Sequence, residues 1–169
     1  MSKFEELGNL LEKSRSDYLD DIYRCSKFAS ELVRGLMEYL EIPESEQLVK
    51  FFQDKKEDEK TETYRYIRDT MEFNPEDKFW HFGIELKIYE PHNKLNSTRI
   101  RWGMLIKSFE DYFILKTDVT AREDIIHENN VEEYNKFYEH IFKQLKTHFE
   151  ETNINYAKKE DGNNLIYIH

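Results

Sequence analysis

The sequence predicts an α+β fold, with N-terminal helices and a long C-terminal helix packed on one face of a small antiparallel β-sheet. Three observations carry that reading. Apolar residues recur at steps of three and four from Phe4 to Leu40, the period of one helix face. From Trp80 to Thr117 the period falls to two, as in strands with one dry side. From Val131 to Phe149 the helical period returns.

The first stripe runs from Phe4, Leu7 and Leu11 through Tyr18, Ile22 and Cys25 to Leu36 and Leu40. It skips a position at Ser14, so the segment reads as one long helix or as two broken near SRSD, with Ser14 or Ser16 capping the second. Pro43 ends it. A shorter helix is expected next, burying Leu48, Val49, Phe51 and Phe52, with Ser45 as its cap. DKKEDEK at 54–60 reads as a solvated charge run. TETYRYIRDTMEF places Tyr64, Ile67 and Met71 at helical spacing, so residues 1–73 are expected to be mainly helical.

NPED is a turn into strands over 78–117. Trp80, Phe82, Ile84, Leu86 and Ile88 alternate with polar residues and glycine. After a PHNKLN loop, Ile100, Trp102, Met104 and Ile106 do the same, and FED turns the chain into YFILKT. These three strands make a meander. A helix is expected over 130–152, where Asn130 and Glu133 have capping-box spacing. A terminal hairpin is expected over 154–168, turning at Asp161-Gly162. With no repeat or linker, residues 1–169 are expected to form a single α+β domain.

The chain is polar, with a mean hydropathy of -0.86 and 36% charged residues against roughly 25% in an average globular chain. Aromatic residues at 15% restore enough apolar area for a folded core, since each buried ring removes roughly 150–250 Å² from water. The net charge of -10 is uneven: residues 1–77 carry 12 basic and 20 acidic side chains, residues 78–117 carry 7 and 4, and residues 118–169 carry 6 and 11. Overall acidity disfavours general nucleic-acid binding, while the positive middle keeps a local exception open. The single Cys25 excludes an intrachain disulfide and a cysteine zinc site. MSKFEELG lacks an apolar signal core, and no run approaches the ~20 apolar residues of a membrane span, so a cytoplasmic location is expected.

Glu85 and Lys87 form an E-x-K pair of the kind metal-dependent nucleases use. The metal would need a second carboxylate, and Asp77 lies roughly 26 Å away along an extended strand at ~3.3 Å per residue. Glu85 and Lys87 therefore read as the wet side of an amphipathic strand. REDIIH, from Arg122 to His127, has R-x4-H spacing that resembles the motif of HEPN-type ribonucleases, in which the Arg and His act together on a phosphodiester. That family is all-helical, whereas a three-stranded sheet precedes the motif here. The competing reading is a short helix after a Thr120 cap. The six histidines show no metal-chelating spacing, and Cys25 sits on an apolar helix face, which favours burial over reactivity.

The polar side of the meander is the remaining candidate. A symmetric PHNKLN loop would bring Lys87 beside Arg101 and His81 beside Lys107, with Arg99 close by and Glu85 as the one acid. This strip is either a solvated face or a docking surface. The expected function is a non-enzymatic protein-binding domain: an acidic inhibitor, immunity or regulatory factor, with no cofactor and no metal. The alternative is a nucleic-acid-processing or nucleic-acid-binding protein using the basic face. A homodimer through the N-terminal helix is a further option.

Overall fold

The computed structural model describes residues 2–43, 46–54, 62–120, 122–151 and 163–168. Helix α1 (Lys3–Tyr39) is one unbroken helix of 37 residues, about 55 Å long at 1.5 Å per residue. Ser2 caps it in a capping box. Glu5 N donates to Ser2 Oγ at 3.2 Å, and Ser2 N donates to Glu5 Oε2 at 2.5 Å. There is no break near SRSD, because neither Ser14 nor Ser16 leaves the helix. Glu41 takes a left-handed φ of 54° at the exit, just ahead of Pro43.

The helix expected around Leu48–Phe52 is instead strand β1 (Val49–Phe52). VKFF is too short for periodicity to separate strand from helix. Its two phenylalanines face opposite sides of the sheet: Phe51 pairs with Ile84 and Phe52 with Gly83. The helix expected over 61–73 is also absent among the described residues. The described part forms β2 (Thr63–Tyr64), a single 3-10 turn (Ile67–Asp69) and β3 (Glu72–Asn74). β-Branched threonine and aromatic tyrosine favour strand there over a helix. Among the described residues of 1–73, the chain is therefore helical only as far as Tyr39, apart from single 3-10 turns. Ser45 and most of the 54–60 charge run lie outside the described residues.

The meander forms as β4 (Phe79–Glu90), β5 (Asn93–Ser108) and β6 (Tyr112–Thr117). The segment expected as a helix after Thr120 is a further strand, β7 (Glu123–His127), and β8 (Asn163–Tyr167) lies near the end of the chain. Among the described residues there are eight strands, ordered β2-β1-β4-β5-β6-β7, with β3 also on β4 and β8 on β5. All pairings are antiparallel except β5 with β8, which is parallel. The expected terminal hairpin falls largely outside the described residues, and its described part is this parallel edge strand.

Helix α2 (Val131–Glu151) closes the fold. Asn130 Oδ1 accepts from Glu133 N at 3.4 Å, but the Glu133 carboxylate turns to the preceding strand and accepts from His127 N at 2.7 Å. The expected capping box is thus half formed. Both helices contribute to one apolar cluster against the same sheet face. It holds Phe28 and Leu32 of α1, Phe137 and Ile141 of α2, and Trp80, Phe82, Trp102, Met104 and Leu115 of the strands. Phe28 stacks on Phe113 with ring centroids 3.8 Å apart. Each such side chain contributes about 1.5–3 kcal/mol on full burial.

Polar contacts fix where α1 crosses the sheet. Asp21 accepts from Trp80 Nε1 at 2.8 Å and from the Ser108 hydroxyl. Arg24 donates to Glu110 O at 2.8 Å and to Glu128 Oε1 at 2.9 Å. These partners sit at the sheet end that carries the β5–β6 turn. The helix is longer than the sheet it covers, so its first half extends past that end.

Candidate functional site

The β4–β5 register decides the polar face. Glu85 is directly opposite Arg101, Lys87 opposite Arg99, His81 opposite Leu105, and Gly83 opposite Gly103. This differs by two residues from a symmetric PHNKLN loop, because β5 begins at Asn93 and an irregularity follows Tyr89. Lys87 therefore does not face Arg101, nor His81 Lys107. The shift keeps every side chain on its expected face but gives Arg101 the acid Glu85 as its opposite neighbour, while Lys87 faces Arg99.

Arg101 Nε donates to Glu85 Oε2 at 2.6 Å, and the two side chains are only 3% and 6% exposed. Arg101 Nη1 donates to Tyr167 Oη at 2.8 Å. The guanidinium lies 4.9 Å from the Phe52 ring centroid and 5.7 Å from that of Tyr167. Burial opposes its charge, but the hydrogen bonds to Glu85 and Tyr167 more than offset this and hold its pKa above the ordinary arginine value. Phe52 fits here because its partner is a glycine. A Cβ at Gly83 would lie 2.2 Å from the Phe52 ring. This enclosed pair is part of the interior. Glu85 also lines a polar cavity of about 440 Å³ with Lys50, Lys87 and Arg99.

Of the other strip residues, Arg99 and Lys87 stay beside Glu85, whereas Lys107 and His81 lie apart from it. Arg99 Nη1 is 3.9 Å from Glu85 Oε2. Lys87 is exposed. Lys107 Nζ lies 5.8 Å and 5.5 Å from the Phe79 and Phe109 ring centroids. His81 Nε2 is 2.7 Å from Asp77 Oδ2, across a tight turn rather than along one strand. His81 and Asp77 line a polar cavity of about 740 Å³ with Asp54, Asp118, Lys116 and Arg122. A Cβ at Gly103 would lie 2.5 Å from both the Asp54 and Asp118 Oδ2 atoms, and Gly103 N donates to Asp118 Oδ2 at 2.8 Å. The cations there are engaged: Lys116 with Glu123 at 2.6 Å, and Arg122 with Asp124 at 2.7 Å. Among the described residues, no three His, Cys, Asp or Glu side chains converge as metal ligands do.

Arg122 and His127 also separate. His127 ends β7 and contacts Glu133 at 3.1 Å, while Arg122 pairs with Asp124 just before and inside the strand. Five residues of extended chain span roughly 16 Å, so the two cannot act on one phosphodiester. Cys25 is fully buried, and burial together with the nearby Asp21 carboxylate pushes its thiol up to about 12.

No protein-family model, curated protein or solved structure matches the chain.

The largest departure from an ordinary surface is the first half of α1. Ser2 through Asp20 are all exposed. Phe4 is 84% exposed, Leu7 64%, Leu10 57% and Leu11 56%. They continue the stripe that Cys25, Phe28 and Leu32 bury on the sheet, one turn after another. An isolated helix of about 15 residues is marginal in water, and a cap such as Ser2 contributes only about 1 kcal/mol. The sequence contained this stripe. It did not contain the point at which the sheet ends beneath it.

Proposed function

We propose that the chain is a non-enzymatic protein-binding factor, of the acidic inhibitor, immunity or regulatory kind, and that the projecting half of α1 is its binding element. One observation carries the reading: an apolar helical stripe lies wholly outside the folded body. Grouped exposed apolar side chains of this kind mark interaction sites rather than ordinary surface. The Glu85–Arg101 pair supports it from the other side, because it engages the carboxylate a nuclease reading needs.

The test compares three proteins in native extract of the source cell, sized by chromatography: wild type, Leu7→Glu/Leu11→Glu, and Arg99→Glu/Lys107→Glu. The expected result is a complex kept by wild type and the sheet variant and lost by the helix variant. Loss in the sheet variant alone, with nucleic acid recovered from the wild-type complex, would refute the reading in favour of nucleic-acid binding.

A further inference from the structure

We infer that the projecting half of α1 pairs with the same segment of a second copy, as a short antiparallel helix pair. This rests on the reading above and names its partner. The stripe has heptad spacing: Phe4, Leu11 and Tyr18 fall at one core position, and Leu7 and Ser14 at the other. Two such segments related by a two-fold axis present the same patch to each other.

Charge selects the direction and the register. In an antiparallel pair, one kind of core position faces the other kind. Setting Leu7 against Leu11 of the copy also sets Phe4 against Ser14. The flanking positions then place Lys3 beside Asp17 of the copy, twice by symmetry, and Leu10 beside its own copy. Gly8 meets its copy on the other flank, and a Cβ there would touch nothing within 4 Å in one chain, so the helices can approach closely. A parallel pair would set Lys3 against Gly8, Leu10 against Arg15 and Asp17 against Ile22, with no ion pair. It would also crowd the two folded bodies together at one end. The antiparallel register keeps them apart.

The area fits a weak dimer. The exposed parts of Phe4, Leu7, Leu10 and Leu11 sum to on the order of 500 Å² per chain, so pairing buries at most about 1,000 Å², the lower bound for a specific interface. A lipid surface is disfavoured. Residues 3–21 carry three basic and six acidic side chains, whereas surface-seeking helices are rich in lysine and arginine.

Sedimentation velocity over a wide concentration range, in low salt, tests the pairing. Wild type is expected to pass from monomer to dimer. Lys3→Glu and Asp17→Lys alone should each weaken the dimer by about tenfold, because two ion pairs become two repulsions. An equimolar mixture of the two variants should form a heterodimer at about wild-type strength, since each flank is then complementary. Equal weakening in the mixture would overturn the register. A wild-type monomer at every concentration would overturn the second copy as occupant. If that monomer still lost its extract complex in Leu7→Glu/Leu11→Glu, the protein-binding reading would stand without it. Co-sedimentation with phosphatidylcholine–phosphatidylserine vesicles would overturn the pairing in favour of a lipid surface.

Discussion

Arg101→Met removes the guanidinium and keeps most of the stem. What remains is a Glu85 carboxylate only 6% exposed, with Arg99 at 3.9 Å as its nearest cation. The Tyr167 hydroxyl loses its donor, and Phe52 loses the cation over its ring. Breaking a buried pair by deleting one member typically costs about 3–5 kcal/mol, because the survivor is left charged and dry. Against a total stability of about 5–15 kcal/mol, that is a large fraction. At about 2–4 °C per kcal/mol for a chain of this size, the melting temperature should fall by about 6–20 °C. Urea unfolding followed by the fluorescence of buried Trp80 and Trp102 measures the loss. Glu85→Leu added to Arg101→Met should recover most of it, because no lone charge remains. A cost below about 1 kcal/mol for the single change, the range of a surface pair, would refute the burial argument.

The helix variant Leu7→Glu/Leu11→Glu should keep the melting temperature of dilute wild type within about 0.5 kcal/mol, since both side chains lie outside the core; differential scanning calorimetry reads it. Gly103→Ala should destabilise by about 1–3 kcal/mol in urea unfolding, because its Cβ would meet two carboxylate oxygens at 2.5 Å. Alkaline pH should weaken the fold. The folded Cys25 thiol titrates at about 12, so above its ordinary value near 9 the unfolded chain loses a proton that the folded chain keeps. The stability from this group is therefore whole below pH 9 and declines up to about pH 12, by about 1.4 kcal/mol per unit. Tyr134, pushed up to about 12 by burial, adds to the decline above pH 10. The same burial predicts that Cys25 reacts with a thiol reagent only after denaturation.

The parts of the fold visible in the sequence are those with long runs of one period. α1, α2 and the β4–β5–β6 meander each repeat their pattern over enough residues to separate 3.6 from 2. The four missed strands before and after the meander, β1, β2, β3 and β7, are two to five residues long. At that length Phe51-Phe52 or Ile125-Ile126 fits either period, and pairing to a neighbouring strand decides. The polar face was legible as a face but not as chemistry. A two-residue change of register leaves the alternation untouched, yet sets Arg101 against Glu85 in a buried pair instead of against Lys87. Gly83 and Gly103 carried a signal that could have been used, since a glycine within a strand marks a close approach. Here the approaching groups are the Phe52 ring and the Asp54 and Asp118 carboxylates.

Amide hydrogen exchange along α1, followed at high and at low protein concentration, tests most directly whether its first half is a binding element completed by a second copy. Residues 25–36, packed on the sheet, should be protected at both concentrations. Residues 5–17 should be protected at high concentration and exchange freely on dilution, and in Leu7→Glu/Leu11→Glu they should exchange freely at both. Equal exchange of residues 5–17 at the two concentrations, whether fast or slow, would contradict it.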